Sequence, residues 1–262
     1  MDYMLEKYIG RVKFDSYEDF KKNYKLNCPD DFNFGFDIVD GWAEVEPEKR
    51  ALVWCNDAGE ERIFTFTDVK KYSNKMCNFF KSLGLKKGDK VMLILKRRYE
   101  YWLTVTALHK MGVIVIPASF QLTKKDIVYR INAIDVKMVI CADDDYVIEQ
   151  VNESVPECPS VKFLAKIGKK CDGWMDYTEG YINQSDVFER PVGEEAVTAN
   201  DLMIMYFTSG TTGMPKVVQH VQSYPLGHIL TAKYWQQVVN NGLHLTVADS
   251  GWAKFSWGKI YG

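Results

Sequence analysis

The sequence predicts an α/β fold in which a doubly wound, mostly parallel sheet is flanked by helices. Short apolar runs alternate with amphipathic segments of about ten to fifteen residues, which is the pattern of strand–helix–strand units. Two of the runs, VMLIL (91–95) and VIVIP (113–117), are apolar throughout, as expected for strands buried on both faces. Gly84 and Gly112 follow two amphipathic segments, where a helix commonly ends on glycine.

The N-terminal part is predicted to form two units before the alternation begins. Residues 1–34 are rich in charged and aromatic side chains and are expected to form helical turns and loop against the main body, residues 35–262. A hairpin follows, because polar and apolar residues alternate on both sides of Asn56–Glu60, with Gly59 in the turn. Thr67 is predicted to cap the next helix, which continues to Gly84.

The remaining elements alternate along the chain. Thr123 and Asp126 have the spacing of a capping box, with Asp in place of the usual Glu or Gln, and predict the start of a helix. In chain order we expect a strand at 90–95, a helix at 99–111, a strand at 113–118, a helix from 123, a strand at 137–142, a helix at 144–155, a strand at 161–167, a helix at 173–184, a connection at 185–200 and strands at 201–207 and 216–221.

Composition and charge narrow the class of protein. Of the 262 residues, 47% are hydrophobic and 26% charged, which is typical of a soluble globular protein. The net charge of -2 gives no basis for a nucleic-acid or membrane partner held by positive charge, and neither is expected. The scattered cysteines form no CxxC pair, the N-terminus is charged, and no apolar run approaches the roughly 18 residues of a membrane span. These features predict a reduced, cytoplasmic setting.

A loop rich in glycine and hydroxyl residues, TSGTTGMPK, lies between the last two predicted strands. Its composition suits a polyphosphate: glycine lets backbone N–H groups turn toward an anion, hydroxyls donate hydrogen bonds, and lysine adds charge. The candidate phosphate-binding residues are Thr208, Ser209, Gly210, Thr211, Thr212, Gly213 and Lys216. The loop is not a Walker A motif, because Met214 and Pro215 separate Gly213 from Lys216 and a strand follows. The competing interpretation is an ordinary flexible hairpin loop.

The string YFTSGTTGMPK resembles the phosphate-loop signature of the acyl-adenylate-forming superfamily. The stretches EYWLTVTALHKMGVIVIPASFQLTKKDIVYRINA and YPLGHILTAKYWQ resemble its medium-chain acyl-CoA synthetase branch, and the resemblance extends from about residue 34 to residue 262. It implies a two-step reaction, in which a carboxylic acid and MgATP give acyl-AMP and pyrophosphate, and CoA then gives acyl-CoA and AMP. It therefore implies ATP, Mg²⁺, CoA and a carboxylic acid as ligands, with Thr208–Lys216 holding the β- and γ-phosphates.

The stretch DSGWAKFSWGKIYG resembles the family segment that lines the acyl pocket. In a helix, Lys254 and Trp257 would share one face, and Phe255 and Lys259 another. The resemblance assigns Trp257, Gly258 and Lys254 to the acyl pocket, with Trp257 as a wall that limits chain length. Trp257 as a core residue is the alternative, since large aromatic side chains mostly serve packing. Lys254 is either a ligand of the substrate carboxylate or a solvated lysine.

The family's later motifs have no counterpart in these 262 residues. The resemblance places the adenine-binding segment, the Mg²⁺-binding glutamate, the ribose-binding aspartate and the catalytic lysine beyond Gly262. We therefore expect an N-terminal part of an acyl-CoA synthetase that is inactive alone and that self-associates through an exposed apolar face. A non-catalytic nucleotide-binding or interaction module of the same family is the alternative. An amino-acid adenylation domain agrees less well with the quoted stretches.

The four histidines show no motif. His220 follows the loop in the second predicted strand, and structural and functional roles stay equally open for it. His109, His228 and His244 have no evident partner in the sequence and are expected to be ordinary helix or strand residues.

Overall fold

The structure, a computed structural model, describes residues 3–208 and 213–261. It confirms the predicted α/β class: helices flank a seven-stranded sheet, and a two-stranded hairpin stands apart from it. The strands are β1 (Arg50–Cys55), β2 (Glu61–Thr65), β3 (Lys90–Ile94), β4 (Ile114–Pro117), β5 (Met138–Cys141), β6 (Phe163–Lys166), β7 (Met175–Asp176), β8 (Leu202–Thr208) and β9 (Lys216–Val221).

Ten α-helices are described, together with short helices of other types. The α-helices are α1 (Tyr3–Ile9), α2 (Tyr17–Asn23), α3 (Gly41–Val45), α4 (Phe66–Ser82), α5 (Glu100–Lys110), α6 (Lys124–Ile134), α7 (Asp145–Ser154), α8 (Tyr177–Ile182), α9 (Tyr224–Ile229) and α10 (Ala253–Lys259). Phe34–Asp40 and Leu230–Trp235 are π-helical, and Val155–Glu157 and Gly193–Glu195 are 3₁₀ turns. None of the helices described is both long enough and apolar enough to cross a membrane.

The predicted hairpin is confirmed, but the cap of the following helix was misplaced by two residues. β1 and β2 pair antiparallel, and Thr65, in an extended conformation, is the N-cap of α4. The Thr65 hydroxyl accepts from the Asp68 N–H at 3.1 Å, and the Asp68 carboxylate accepts from the Thr65 N–H at 2.8 Å. Thr67 lies inside the first turn and donates instead to the carbonyl of Pro47. The prediction was wrong because Thr65–Asp68 supplies a complete capping box and Thr67 does not.

The main sheet has the strand order β7-β6-β5-β3-β4-β8-β9, and only the β8–β9 pair is antiparallel. The chain goes from β3 to β4 on one side and then returns to place β5 on the other side of β3, which is the doubly wound pattern. Side chains along β3 therefore alternate between two cores. Val91 and Leu93 face the α5 core, the cluster with Leu103 and Leu108 of α5.

The opposite face of the sheet forms a second, smaller core. Met92 and Ile94 of β3 pack there with Ile127 and Ile131 of α6, and we call this cluster the α6 core. The helices predicted after Thr123 and over 144–155 both lie on this face. The Thr123–Asp126 capping box is confirmed.

The segment 173–184 was predicted as one helix, and the structure divides it. Met175–Asp176 form the short strand β7, which extends the sheet parallel to β6, and only Tyr177–Ile182 are helical. The helix begins late because the Asp176 carboxylate caps it by accepting from the Glu179 N–H at 2.9 Å.

Two buried features hold the parts of the chain before β1 against the body: an aromatic ring of the N-terminal segment, and an ion pair between Asp40 and α5. Tyr8 of α1 is 1% exposed and lies in the α5 core. Lys110, at the end of α5, is fully buried; its Nζ lies 2.7 Å from Asp40 Oδ1 and donates to Asn74 Oδ1 at 2.8 Å. Burial lowers the pKa of Lys110 and raises that of Asp40. The boundary placed at residue 34 remains a prediction.

Candidate functional site

The β8–β9 hairpin positions the candidate phosphate loop. Both strands were predicted and are confirmed, and their last pair is Thr208 opposite Lys216. The loop therefore starts and ends on adjacent strands, close to the carboxyl end of β8. The four predicted residues at its centre, Ser209, Gly210, Thr211 and Thr212, lie outside the described residues.

The described ends of the loop carry three of the predicted phosphate-binding residues. Gly213 has φ +135°, and a Cβ built there would have open space around it, so backbone conformation rather than crowding favours glycine. Thr208 and Lys216 are both exposed, and the Thr208 hydroxyl lies 3.5 Å from the Lys216 carbonyl oxygen. The base of the loop thus carries an exposed lysine paired with an exposed threonine. Such groups can bind phosphate oxygens, and the assignment stays a prediction.

The candidate acyl-pocket segment forms α10, and its two predicted faces differ in burial. Phe255 is fully buried, and Lys259 Nζ lies 4.9 Å from the centre of its ring, so these two residues share the packed face. Trp257 is half-buried, and its ring centre lies 6.1 Å from that of Trp235, whose side chain is 70% exposed. Lys254 is exposed. The outer face of α10 therefore combines aromatic surface with a cation.

Close packing, rather than an unusual backbone angle, favours glycine at Gly258. A Cβ at Gly258 would lie 3.0 Å from both Oγ1 and Cγ2 of Thr246. The Thr246 hydroxyl also donates to the Gly258 carbonyl at 2.9 Å. This contact fastens the C-terminal half of α10 to the segment before it.

The buried His109 and the half-buried His228 lie near α10, and the sequence did not predict their partners. His109 Nε2 is 2.7 Å from the hydroxyl of Tyr261, which follows α10, and burial lowers the pKa of His109 to about 3. His228 stacks nearly parallel to Trp257 at 6.0 Å, and its Nδ1 is 3.0 Å from the Thr231 hydroxyl. Burial, with a smaller repulsion from His220, lowers the pKa of His228 to about 4. No local pattern signals a contact between residues 152 positions apart.

The remaining two histidines are less enclosed. His220 is half-buried and stacks on Tyr224 at 3.9 Å between ring centres, and burial lowers its pKa. His244 is exposed, with Nε2 3.0 Å from the Thr246 hydroxyl. The stacking gives His220 a structural role and leaves its functional role a hypothesis.

At the carboxyl ends of β3, β5 and β6, charged groups pair with one another. Lys96 forms an ion pair with Asp144, and Lys166, 2% exposed, lies 2.6 Å from Asp143. This is the edge at the switch of strand order, where ligands of open α/β sheets commonly bind. The hydrogen bond from Lys166 lowers the pKa of Asp143, and that from Lys96 lowers the pKa of Asp144. Within residues 3–208 and 213–261, no three metal-ligating side chains gather at one point.

A family model described as AMP-binding enzyme matches residues 39–253. The Mus musculus protein named acyl-coenzyme A synthetase ACSM4, mitochondrial, is 35% identical over 241 residues, which cover 89% of this chain and 40% of that protein. The chain thus spans less than half of this relative's length.

Two solved structures share the fold. The crystal structure of Brucella canis acyl-CoA synthetase has a TM-score of 0.81 and 20% identity, covering 95% of this chain and 46% of that one. The anthranilate CoA ligase AuaEII, solved in complex with anthranoyl-AMP, has a TM-score of 0.70 and 22% identity, covering 79% of this chain and 38% of that one.

Proposed function

The chain belongs to the AMP-binding enzyme family, and from this premise we propose that it is the phosphate- and acyl-binding part of an ATP-dependent acyl-CoA synthetase. One observation carries the proposal: the string YFTSGTTGMPK joins two adjacent strands as a hairpin, with Thr208 and Lys216 paired at its base. The similarity to an acyl-coenzyme A synthetase supports the thioester-forming branch over amino-acid adenylation.

The proposed reaction has two balanced steps. A carboxylate oxygen attacks the α-phosphorus of ATP, forms the acyl–phosphate bond of acyl-AMP and displaces pyrophosphate. The CoA thiol then attacks the acyl carbon, loses its proton, forms the thioester and displaces AMP. ATP, CoA and a medium-chain carboxylic acid are the proposed substrates.

The loop acts in the first step, because negative charge builds on the leaving pyrophosphate. The Thr208 hydroxyl, the backbone N–H groups near Gly213 and the Lys216 ammonium would hold the β- and γ-phosphate oxygens. Mg²⁺ bound to ATP would neutralise further phosphate charge. The described residues near the loop do not form a carboxylate set that fits this ion.

The acyl end of the site is proposed at the outer face of α10. Trp257 offers an indole wall next to Trp235, and Gly258 admits the close approach of Thr246 behind that wall. An apolar acyl chain fits an aromatic wall, and Lys254, exposed on the same helix, would attract the carboxylate.

ATP–pyrophosphate exchange with carboxylic acids of increasing length tests the proposal. The 262-residue chain is measured beside a longer chain that extends over the full length of the relatives. We expect exchange in the longer chain only, and its acid preference identifies the substrate. In the longer chain, Lys216→Ala should weaken exchange by about tenfold or more through loss of a charged hydrogen bond, while Lys22→Ala on α2 should not.

The alternative function gives a different result in the same experiment. A non-catalytic nucleotide-binding module would bind ATP but exchange no pyrophosphate in either chain. Exchange by the 262-residue chain alone would mean that these residues suffice for adenylation, and would contradict the expectation of an inactive part. The predicted cytoplasmic location stays a prediction; the mouse relative is named as mitochondrial.

A further inference from the structure

Tyr129 of α6 reaches the exit of the candidate phosphate loop. Its hydroxyl donates a hydrogen bond to the Pro215 carbonyl oxygen at 2.8 Å, across 86 positions of sequence. Pro215 is the last residue before β9, so this bond fixes the point where the loop rejoins the sheet. Met214, one position earlier, lines a surface depression together with Val128 and Tyr129.

The same turn of α6 also holds the entry of the loop. The Tyr129 ring meets the Phe207 ring edge-on, with 6.2 Å between ring centres. The Arg130 guanidinium lies 5.3 Å from the centre of the Phe207 ring. Arg130 is itself restrained, because it donates to the Asp126 carbonyl at 3.0 Å. Phe207 precedes Thr208, the last residue of β8, so two neighbours on α6 contact both limbs of the hairpin.

α6 is a firm support for these contacts. Ile127 and Ile131 are 1% and 0% exposed in the α6 core, and they bracket Tyr129 and Arg130 on the helix. The capping box at Thr123 fixes the first turn. A hydrogen bond from such a helix restrains its partner more than one from a mobile side chain, because the donor has little freedom left to lose.

We propose that Tyr129 is a positioning residue that fastens the exit of the phosphate loop to α6 and so prepares Lys216 for polyphosphate binding. The loop has Gly213 at its described exit, and a glycine loses backbone freedom when a bound anion fixes its conformation. Fixing its limbs beforehand lowers that cost and raises affinity without adding a contact to the ligand. The nucleotide part of this inference rests on the proposed function, whereas the fastening of the loop does not.

The test is Tyr129→Phe in the 262-residue chain, which keeps the ring against Phe207 and removes only the hydroxyl. The matched control is Tyr146→Phe on α7, where the tyrosine is 44% exposed. Amide hydrogen exchange of the free chain measures the loop limbs, and titration with MgATP measures binding. We expect exchange of the Met214 and Lys216 amides to rise about three- to tenfold, and the MgATP dissociation constant to rise by a similar factor. The thermal midpoint and the control variant should show no comparable change.

The outcomes separate this inference from the proposed function. Unchanged exchange at Met214 and Lys216 in Tyr129→Phe would overturn the fastening, and so would a uniform rise over the whole chain. A local rise with unchanged MgATP affinity would overturn the positioning role in binding. A local rise in a chain whose parent form binds no MgATP would support the fastening and refute nucleotide binding by this part.

Discussion

Acidification should destabilise the protein through two histidines near α10, the buried His109 and the half-buried His228. Burial lowers the pKa of His109 from 6.5 to about 3, and lowers that of His228 to about 4. In the unfolded chain both rings take up a proton near pH 6.5. Below that pH the unfolded state binds more protons than the folded state, so stability is full above pH 6.5 and falls as the pH drops toward the folded pKa values.

The magnitude follows from the size of the shift. Each pH unit below the unfolded pKa costs about 1.4 kcal/mol per histidine until the folded pKa is reached. At pH 5, about 1.5 units below, His109 alone removes about 2 kcal/mol of the free energy of unfolding. His228 is only partly enclosed, and solvent screening reduces its share below that of His109.

Urea unfolding at pH 8 and pH 5 measures this loss, and His109→Gln isolates the contribution of one ring. Glutamine does not titrate and can still bond to the Tyr261 hydroxyl, so the difference in stability between the two pH values should shrink by about 2 kcal/mol. The exposed His244 is the matched control, and His244→Gln should keep the full difference. A difference in His109→Gln equal to that of the parent chain would refute the reasoning.

Three further predictions concern the acyl pocket, the buried ion pair and the exposed apolar surface. In the full-length protein, Trp257→Gly should shift the preference toward carboxylic acids with longer acyl chains. The relative exchange rate should rise about fourfold for each additional methylene that the enlarged pocket buries, since burial of one methylene contributes about 0.8 kcal/mol. An unchanged length profile would mean that Trp257 serves only packing. Lys110→Met should lower the free energy of unfolding in urea by about 3–5 kcal/mol, because Asp40 stays buried without its partner. The double variant Lys110→Met with Asp40→Asn should recover most of that loss. Equal stability of the single variant and the parent chain would contradict this. Leu245 and Trp252 are 77% and 65% exposed, so sedimentation should show self-association that rises with concentration, and a monodisperse monomer at high concentration would count against it.

Much of the fold could be predicted because its signals are local. The Thr123–Asp126 capping box and the glycines at positions 84 and 112 mark helix ends within a few residues of sequence, and all three are confirmed. The apolar runs predicted the buried strands of the sheet for the same reason. Where two local signals competed, as for Thr65 and Thr67, the prediction took the wrong one.

The features that could not be predicted depend on distant partners. A lysine at the end of a helix is ordinarily solvated, yet Lys110 is fully buried, because Asp40, 70 positions earlier, supplies a carboxylate. Nothing in the sequence around Tyr129 indicates that its hydroxyl donates to the Pro215 carbonyl. The loop between β8 and β9 could be assigned by its string of residues, but the helix that holds it could not.

β8 separates the two ends of the proposed site because its neighbouring side chains enter opposite cores. Tyr206 belongs to the α5 core together with Phe255 of α10, whereas Phe207 packs against the α6 core beside Tyr129. The acyl end and the phosphate end thus meet at one strand but are supported from different faces. Within the described part of the chain the two ends share no side-chain cluster, so a change on one face reaches the other through the sheet backbone. His109→Gln should therefore leave hydrogen exchange of the loop unchanged, and Tyr129→Phe should leave the acid sensitivity of stability unchanged.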